Sequence, residues 1–254
     1  MKDISLRIRK SILKIASATK SAHIASNFSI IELLVFVHKK FKIKNSIDDF
    51  ILSKGHAALS YYCLLKELKI LSQRDLNTYG YNNTKLMSHV SHKVNGVILS
   101  TGSLGHGLPV ATGIALAKKI KKDKSKTIVI ISDGELDEGS NWESFLFASH
   151  HKLENLIVIL DYNKIQSLDT VKNTINLEPI KNKLESFNFE VKNVNGHNFN
   201  SIRRGFDFKK VNKPKFIIAN TIKGKGVKFM ENKVEWHYKS PNDKELKIAL
   251  SKLK

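Results

Sequence analysis

The chain has 254 residues, of which 41% are hydrophobic and 26% charged, and a formal net charge of +20. That length supports one large α/β domain with its own core, and no apolar run reaches the roughly 18–20 residues of a membrane span. The N-terminal MKDISLRIRK lacks the apolar stretch and cleavage site of a signal peptide, and Cys63 is the only cysteine, so the expectation is a reducing, cytoplasmic setting without an intrachain disulfide. Lysines spread from end to end supply the charge, with arginine only at Arg7, Arg9, Arg74, Arg203 and Arg204. Specific readout of nucleic acid leans on clustered arginine and aromatics. The balance therefore argues against a nucleic-acid partner and favours steering of phosphorylated substrates.

In chain order, Ile4, Ile8, Ile12, Ile15 and Thr19 recur three to four apart and predict a first helix. Residues 29–41 (SIIELLVFVHKKF) predict a second, buried one. The apolar stretch Phe50-Ile51-Leu52 ends at Ser53-Lys54-Gly55-His56, with a helix expected after it. Residues 103–121 predict a helix that opens in a glycine-rich turn. The β-branched run at 127–131 (TIVII) reads as a buried parallel strand. After the loop SDGELDEG, Ser140 and Glu143 have capping-box spacing and predict a helix over 141–152. A second buried strand follows at 155–160 (NLIVIL), so strand, helix and strand form a right-handed crossover. A helix near 178–187 and strands at 189–194 and 216–219 complete the pattern. There is no internal repeat, low-complexity tract or linker, and the fold class predicted is α/β: an open, mostly parallel sheet with helices on both faces.

In such sheets ligands bind outside the carboxyl ends of the strands. Asp133 lies just past one strand and Asn163 just past the next. If those strands are neighbours, both side chains enter one crevice. A carboxylate plus an amide oxygen suits Mg²⁺, which takes one or two protein oxygens and completes its six from phosphate and water. Gly134 admits close backbone approach, and a helix N-terminus near Ser140 offers N–H groups to a diphosphate. Spacing alone also fits a plain turn after a strand, and leaves a nucleotide or nicotinamide site open. Against the latter, Gly102, Gly105 and Gly107 lack the G-x-G-x-x-G order.

S-D-G-E-L-D-E-G (132–139), followed by D-Y-N-K-I-Q (161–166), resembles the thiamine-diphosphate motif of transketolases. The segments S-A-H-I-A-S-N (21–27), L-S-K-G-H-A (52–57), S-T-G-S-L-G-H-G-L (100–108), N-L-E-P-I (176–180) and K-G-K-G-V-K-F-M-E-N-K-V-E-W-H (223–237) follow the family's order over nearly the whole chain. The nearest likeness is to the N-terminal subunit of split transketolases, in which the enzyme is divided over two chains. The resemblance implies a thiamine-diphosphate-binding fold of the diphosphate type, as one domain over residues 1–254. It implies thiamine diphosphate as cofactor, with Mg²⁺ or another divalent cation such as Ca²⁺ or Mn²⁺. By the same resemblance Asp133, Asn163 and the carbonyl of Ile165 bind the cation, and Gly134, His56 and His237 contact the diphosphate. The backbone at Gly102 and Leu104 meets the aminopyrimidine, and Glu138 sits near the subunit boundary and the cofactor. His23, His89 and His237 line the channel where a ketose donor is cleaved, a task suited to a side chain that titrates near neutrality. His38, His92, His150, His151 and His197 lie outside these roles and are read as ordinary.

Two positions depart from the family pattern: Ser132 stands at its usual glycine, and His106 where a glutamine is frequent. The family's pyrimidine-binding domain, with the glutamate that activates the cofactor, has no counterpart here. The expectation is therefore a partner chain, the C-terminal transketolase subunit, in a heterotetramer of two of each. Sugar phosphates are the implied substrates, exchanging a two-carbon ketol unit in the pentose phosphate pathway or in the making of unusual sugars. Rival readings are an alpha subunit of a 2-oxo-acid dehydrogenase, a deoxyxylulose-phosphate synthase and a non-catalytic assembly subunit. Ser53-Lys54-Gly55-His56 and Trp236-His237 argue against the first, the usual single long chain against the second, and the retained Asp133, Asn163 and motif histidines against the third.

Overall fold

A computed structural model describes residues 1–41, 43 and 48–253. The single-domain expectation over 1–254 includes positions 42, 44–47 and 254, which lie outside the described residues. The helices are α1 (Lys2–Thr19), α2 (Ile24–Ser29), α3 (Ile31–Phe41), α4 (Ala58–Glu67), α5 (Gln73–Leu76), α6 (Gly107–Ile120), α7 (Gly139–His150), α8 (Val171–Thr174), α9 (Ile180–Ser186), α10 (Phe199–Gly205) and α11 (Asp243–Lys252). The strands are β1 (Asp49–Leu52), β2 (Thr127–Ser132), β3 (Leu156–Tyr162), β4 (Glu190–Asn195) and β5 (Lys215–Asn220). They form one sheet in the order β1-β2-β3-β5-β4, parallel at every pairing.

Strand side chains alternate between two cores, because successive Cβ atoms point to opposite sides. Ile128, Ile130, Ile159 and Ile217 pack with Ile8 and Ile12 of α1, Val37 of α3 and Leu64 of α4. Val129, Ile131, Val158 and Ile218 pack with Leu108 and Ala111 of α6, Phe145 of α7 and Leu184 of α9. Helices therefore cover both faces, and β2 and β3 are buried at every position. This is why they read as unbroken apolar runs.

Three local expectations change. The helix expected over 29–41 is α3, which starts at Ile31, while Ser29 is the last residue of the separate helix α2. The buried Ser29 hydroxyl donates to the Asp161 carboxylate at 2.6 Å, so this residue serves a buried polar network. The helix expected from 103 starts at Gly107, because residues 103–106 form the turn that meets the sheet edge. The Ser140/Glu143 capping box is absent. α7 starts at Gly139 with no side-chain cap, and the Ser140 hydroxyl instead donates to the Gly105 carbonyl at 2.8 Å.

Candidate functional site

The register of β2 and β3 pairs Ser132 with Asp161, so the residues following each strand, Asp133 and Asn163, leave the sheet on the same edge. β5 ends there too, with Asn220 opposite Tyr162, and delivers Thr221, Ile222 and Lys223. A cleft of about 310 Å³ opens at this edge, lined among others by His23, His56, His89, Gly102, Leu104, Asp133, Gly134, Glu138, Asn163, Ile165 and His237. Segments from seven separate stretches of the chain thus converge on one cavity. The α7 N-terminus does not line it; Asp137 and Glu138, just before that helix, do.

The Asp133 carboxylate accepts the N–H of Gly134 at 3.0 Å and of Lys164 at 2.7 Å. Among the described residues it makes no ion pair. Burial, then the nearby Asp161, pushes its pKa from 3.8 up to about 7, against the pull of Lys54. Asn163 Oδ1 accepts the N–H of Ile165 at 3.1 Å, and the Ile165 carbonyl accepts the Lys223 ammonium at 3.0 Å. Each of these oxygens keeps a free lone pair. No group of three or more His, Cys, Asp or Glu able to hold a metal exists among the described residues. A hard cation with few protein oxygens fits this donor set, and a softer metal that takes nitrogen or sulfur ligands does not.

The four motif histidines form a cluster. The His23 ring centroid lies 5.4 Å from His56, 5.7 Å from His89 and 4.8 Å from His237. His23 precedes α2 with φ of 64°, a conformation that costs a non-glycine residue free energy. It is held there by its N–H on the His237 carbonyl at 2.7 Å and by its own carbonyl, which accepts the Asn27 side chain at 2.9 Å. Burial first, then neighbouring positive charge and imidazoles, lowers His23 to about 4 and His237 to about 3. Burial lowers His89, and burial with Lys54 lowers His56 well below its ordinary value. The rings are therefore neutral at pH 7. Lys223 Nζ lies 3.0 Å from His237 Nδ1; with Lys223 as the ammonium it is the donor, and the neutral His237 then carries its proton on Nε2.

Sequence reasoning missed the two lysines. Lys54 and Lys223 are each 1% exposed and both line the cleft. Lys54 pairs with Asp161 and donates to Ser29 at 3.1 Å. Burial raises the Asp161 carboxyl, but Lys54 outweighs it and holds the group below its usual value. Lys223 donates to the carbonyls of Ile165 and Gln166 and to His237, and burial with repulsion from Lys54 lowers it to about 7. Both stand inside the motif segments, but in so lysine-rich a sequence they carried no separate signal. Ser26, from α2, lines the cleft as well.

The departures resolve differently. The Ser132 hydroxyl donates to the buried Glu135 carboxylate at 3.1 Å, and the Ser132 N–H does so at 2.9 Å. Glu135 also accepts from Ser53 and from the Gly105 N–H at 3.4 Å, so Ser132 joins a network that anchors the glycine-rich turn. His106 is exposed at the start of α6 and does not line the cleft.

A parallel α/β sheet with an oxygen-rich cleft lined by histidines and two buried lysines at its carboxyl edge defines a ligand-binding domain of the open-sheet class. The model of the transketolase thiamine-diphosphate-binding domain matches residues 5–253, and the chain belongs to that family. It is 40% identical to an apulose-4-phosphate transketolase subunit of Actinobacillus succinogenes, over 97% of this chain and 92% of that one. It is 34% identical to a 6-deoxy-6-sulfo-D-fructose transketolase subunit of a Clostridium species, over 97% and 93%. Human transketolase is 34% identical over 94% of this chain but only 40% of its own length. The crystal structure of Campylobacter jejuni transketolase superposes with a TM-score of 0.86 and 28% identity, over 99% of this chain and 42% of that one. The chain thus spans about two fifths of the solved transketolase it matches.

Proposed function

We propose that this chain is the diphosphate-side subunit of a two-chain transketolase, a transferase moving a two-carbon ketol unit from a ketose phosphate to an aldose acceptor. The carrying observation is the convergence of Asp133, Asn163 and Ile165 with His23, His56, His89 and His237 on one cleft. Asp133, Asn163 and the Ile165 carbonyl would hold Mg²⁺, or Ca²⁺ or Mn²⁺ in its place. Gly134, His56 and His237, with the ammonium of Lys223, would face the diphosphate. Gly102 and Leu104 would border the aminopyrimidine, and Glu138 the subunit boundary. Bound thiamine diphosphate supplies a nucleophilic carbon that no side chain offers.

The protein's share is proton handling and exclusion of water. Cleaving the ketose releases an aldose, and the hydroxyl beside the breaking bond must give up its proton. Neutral His23 and His89 can accept it, while His237 Nε2–H can donate to a substrate oxygen. The net charge of +20 favours encounter with phosphorylated sugars.

A partner carrying the pyrimidine-binding domain is supported by the bacterial relatives, in which chains of this length are subunits. It is also supported by the outer surface of α6 and α7, which pack against each other. Val110, Ile120, Leu146 and Phe147 are 39%, 71%, 61% and 43% exposed along α6 and α7, and Gly113 and Gly139 leave open space there. That apolar face suits a protein partner, and a heterotetramer of two chains of each kind is the assembly proposed. The buried Cys63, and the finding that no helix among the described residues is long and apolar enough to cross a membrane, fit a cytoplasmic enzyme. Calorimetry of thiamine diphosphate with Mg²⁺, on this chain alone and mixed with the partner, tests the reading. Tight cation-dependent binding in the mixture, lost in Asp133→Ala, is expected. Association of the chains without any binding would refute it.

A further inference from the structure

The turn that carries Lys223 into the cleft is held by a buried network the proposed chemistry does not use. Arg9 of α1 makes a bidentate pair with Glu32 of α3, at 2.7 and 3.0 Å. Arg9 Nε also donates to the Lys225 carbonyl at 3.0 Å. Glu32 Oε2 lies 3.0 Å from Nδ1 of His197, and His197 Nε2 lies 2.8 Å from the backbone nitrogen of Ile222. The geometry fixes the tautomer. Ile222 N–H is a donor, so Nε2 must be the bare nitrogen, and the proton sits on Nδ1, donated to Glu32. His197 is thus far from ordinary: it links helices α1 and α3 to the residue immediately before Lys223.

Burying an ammonium demands this precision. Lys223 is 1% exposed and depends on the Ile165 and Gln166 carbonyls and His237 Nδ1 for its hydrogen bonds. A backbone displacement at 222 would draw the ammonium away from these partners, and a buried ammonium that loses its hydrogen bonds is driven toward water. On the far side of the turn, the Gly224 N–H donates to the Ala25 carbonyl at 2.9 Å. That contact and Arg9 hold 224–225, and Thr221 is tied to β3 by its N–H on the Tyr162 carbonyl at 3.2 Å and its hydroxyl on Asp161; between these anchors the Ile222 N–H is taken by His197.

We propose that His197 is a positioning residue, which sets the Lys223 ammonium in the cleft by accepting the Ile222 N–H on Nε2 while Glu32 and Arg9 fix its ring. The functional half of this inference rests on the reading that Lys223 faces a diphosphate. Two substitutions separate the ring nitrogens. In His197→Gln the amide oxygen reaches the Nε2 position and can still accept from Ile222, whereas in His197→Asn the amide nitrogen reaches only the Nδ1 position and can still donate to Glu32. Two readouts are taken on each: calorimetric binding of magnesium pyrophosphate, and acetylation of lysines by an amine reagent read by mass spectrometry. Lys215, also buried, serves as the reference for intact folding.

The expected result is an Asn variant that acetylates at Lys223 with Lys215 still protected, and binds magnesium pyrophosphate about tenfold more weakly, the equivalent of one hydrogen bond. The Gln variant should protect Lys223 and bind within about threefold of the native chain. Equal behaviour of the two variants, whether both native-like or both impaired, would overturn the proposal, since a merely structural histidine does not distinguish its nitrogens this way. Absence of pyrophosphate binding in the native chain, with Lys223 labelling still split between the variants, would uphold the positioning role and remove the diphosphate reading alone.

Discussion

Asp133→Asn separates the electrostatic cost of the candidate cation site from its use. The carboxylate is 2% exposed, and its pKa is pushed from 3.8 to about 7. At about 1.36 kcal/mol per pKa unit, keeping it ionised costs the folded chain about 4 kcal/mol above pH 7 without a cation. The sign follows from proton binding: the folded state holds this proton more tightly than the unfolded chain. The group therefore supports folding fully below pH 3.8, and that support is lost as pH rises through 7. Asparagine removes the charge but can accept only one of the two N–H groups from Gly134 and Lys164, leaving a buried donor unpaired at about 1–3 kcal/mol. The variant should thus be about 1–3 kcal/mol more stable than the native chain at pH 8 without divalent cation. In thermal unfolding that is a rise of several degrees, at about 2–4 °C per kcal/mol for a domain of this size. The gap should close near pH 4, where the native side chain is itself protonated. With Mg²⁺ and thiamine diphosphate the order should reverse, because only the native chain gains by binding. A variant less stable than native at pH 8 without cation, or a gap that ignores pH, would refute the argument.

The histidine cluster should make the chain acid-sensitive. His23 and His237 are lowered to about 4 and about 3, below an unfolded value of about 6.5, so their support for folding is complete above pH 6.5 and is lost as pH falls toward 4 and 3. NMR should find both rings neutral from pH 5 to 8, and His23→Gln should flatten the fall in unfolding free energy between pH 6.5 and 4. Gly55→Ala would drive a methyl into the carbonyl of Thr101, and chemical unfolding should show a loss of about 1–3 kcal/mol from overpacking. Phe147→Glu, on the exposed face of α7, should leave the isolated chain's melting unchanged and abolish association with the partner in analytical ultracentrifugation; retained association would place the interface elsewhere.

Much of the sheet was legible because its central strands are buried on both sides. β2 and β3 show continuous apolar runs, a pattern that neither a surface strand nor a loop produces. β4 was found within a residue although most of it is only partly covered, since Phe189 and Val194 at its ends still reach the two cores on opposite sides of the sheet. The helix boundaries at Ser29 and Ser140 were not legible. Each is set by a hydrogen bond to a residue more than thirty positions away, Asp161 and Gly105 respectively, and local spacing carries no trace of such a partner. The same holds for Lys54 and Lys223. Nothing distinguishes a buried lysine from a surface one until the carboxylate or carbonyls that receive it are in place.

By itself the sequence determined the fold class, the family and the order of its motif blocks, because those depend on hydrophobic period and on residue types at fixed spacing. Only the tertiary structure decided that β2 and β3 are neighbours, so that Asp133 and Asn163 share an edge. It also decided that His23, His56, His89 and His237 meet, that Ser132 turns its hydroxyl to Glu135, and that His197 reaches Ile222. The reason is the range of the interactions: periodicity is written within one turn or one strand, whereas charge burial and hydrogen-bond partnership are properties of distances through space that the chain sets only once it is packed.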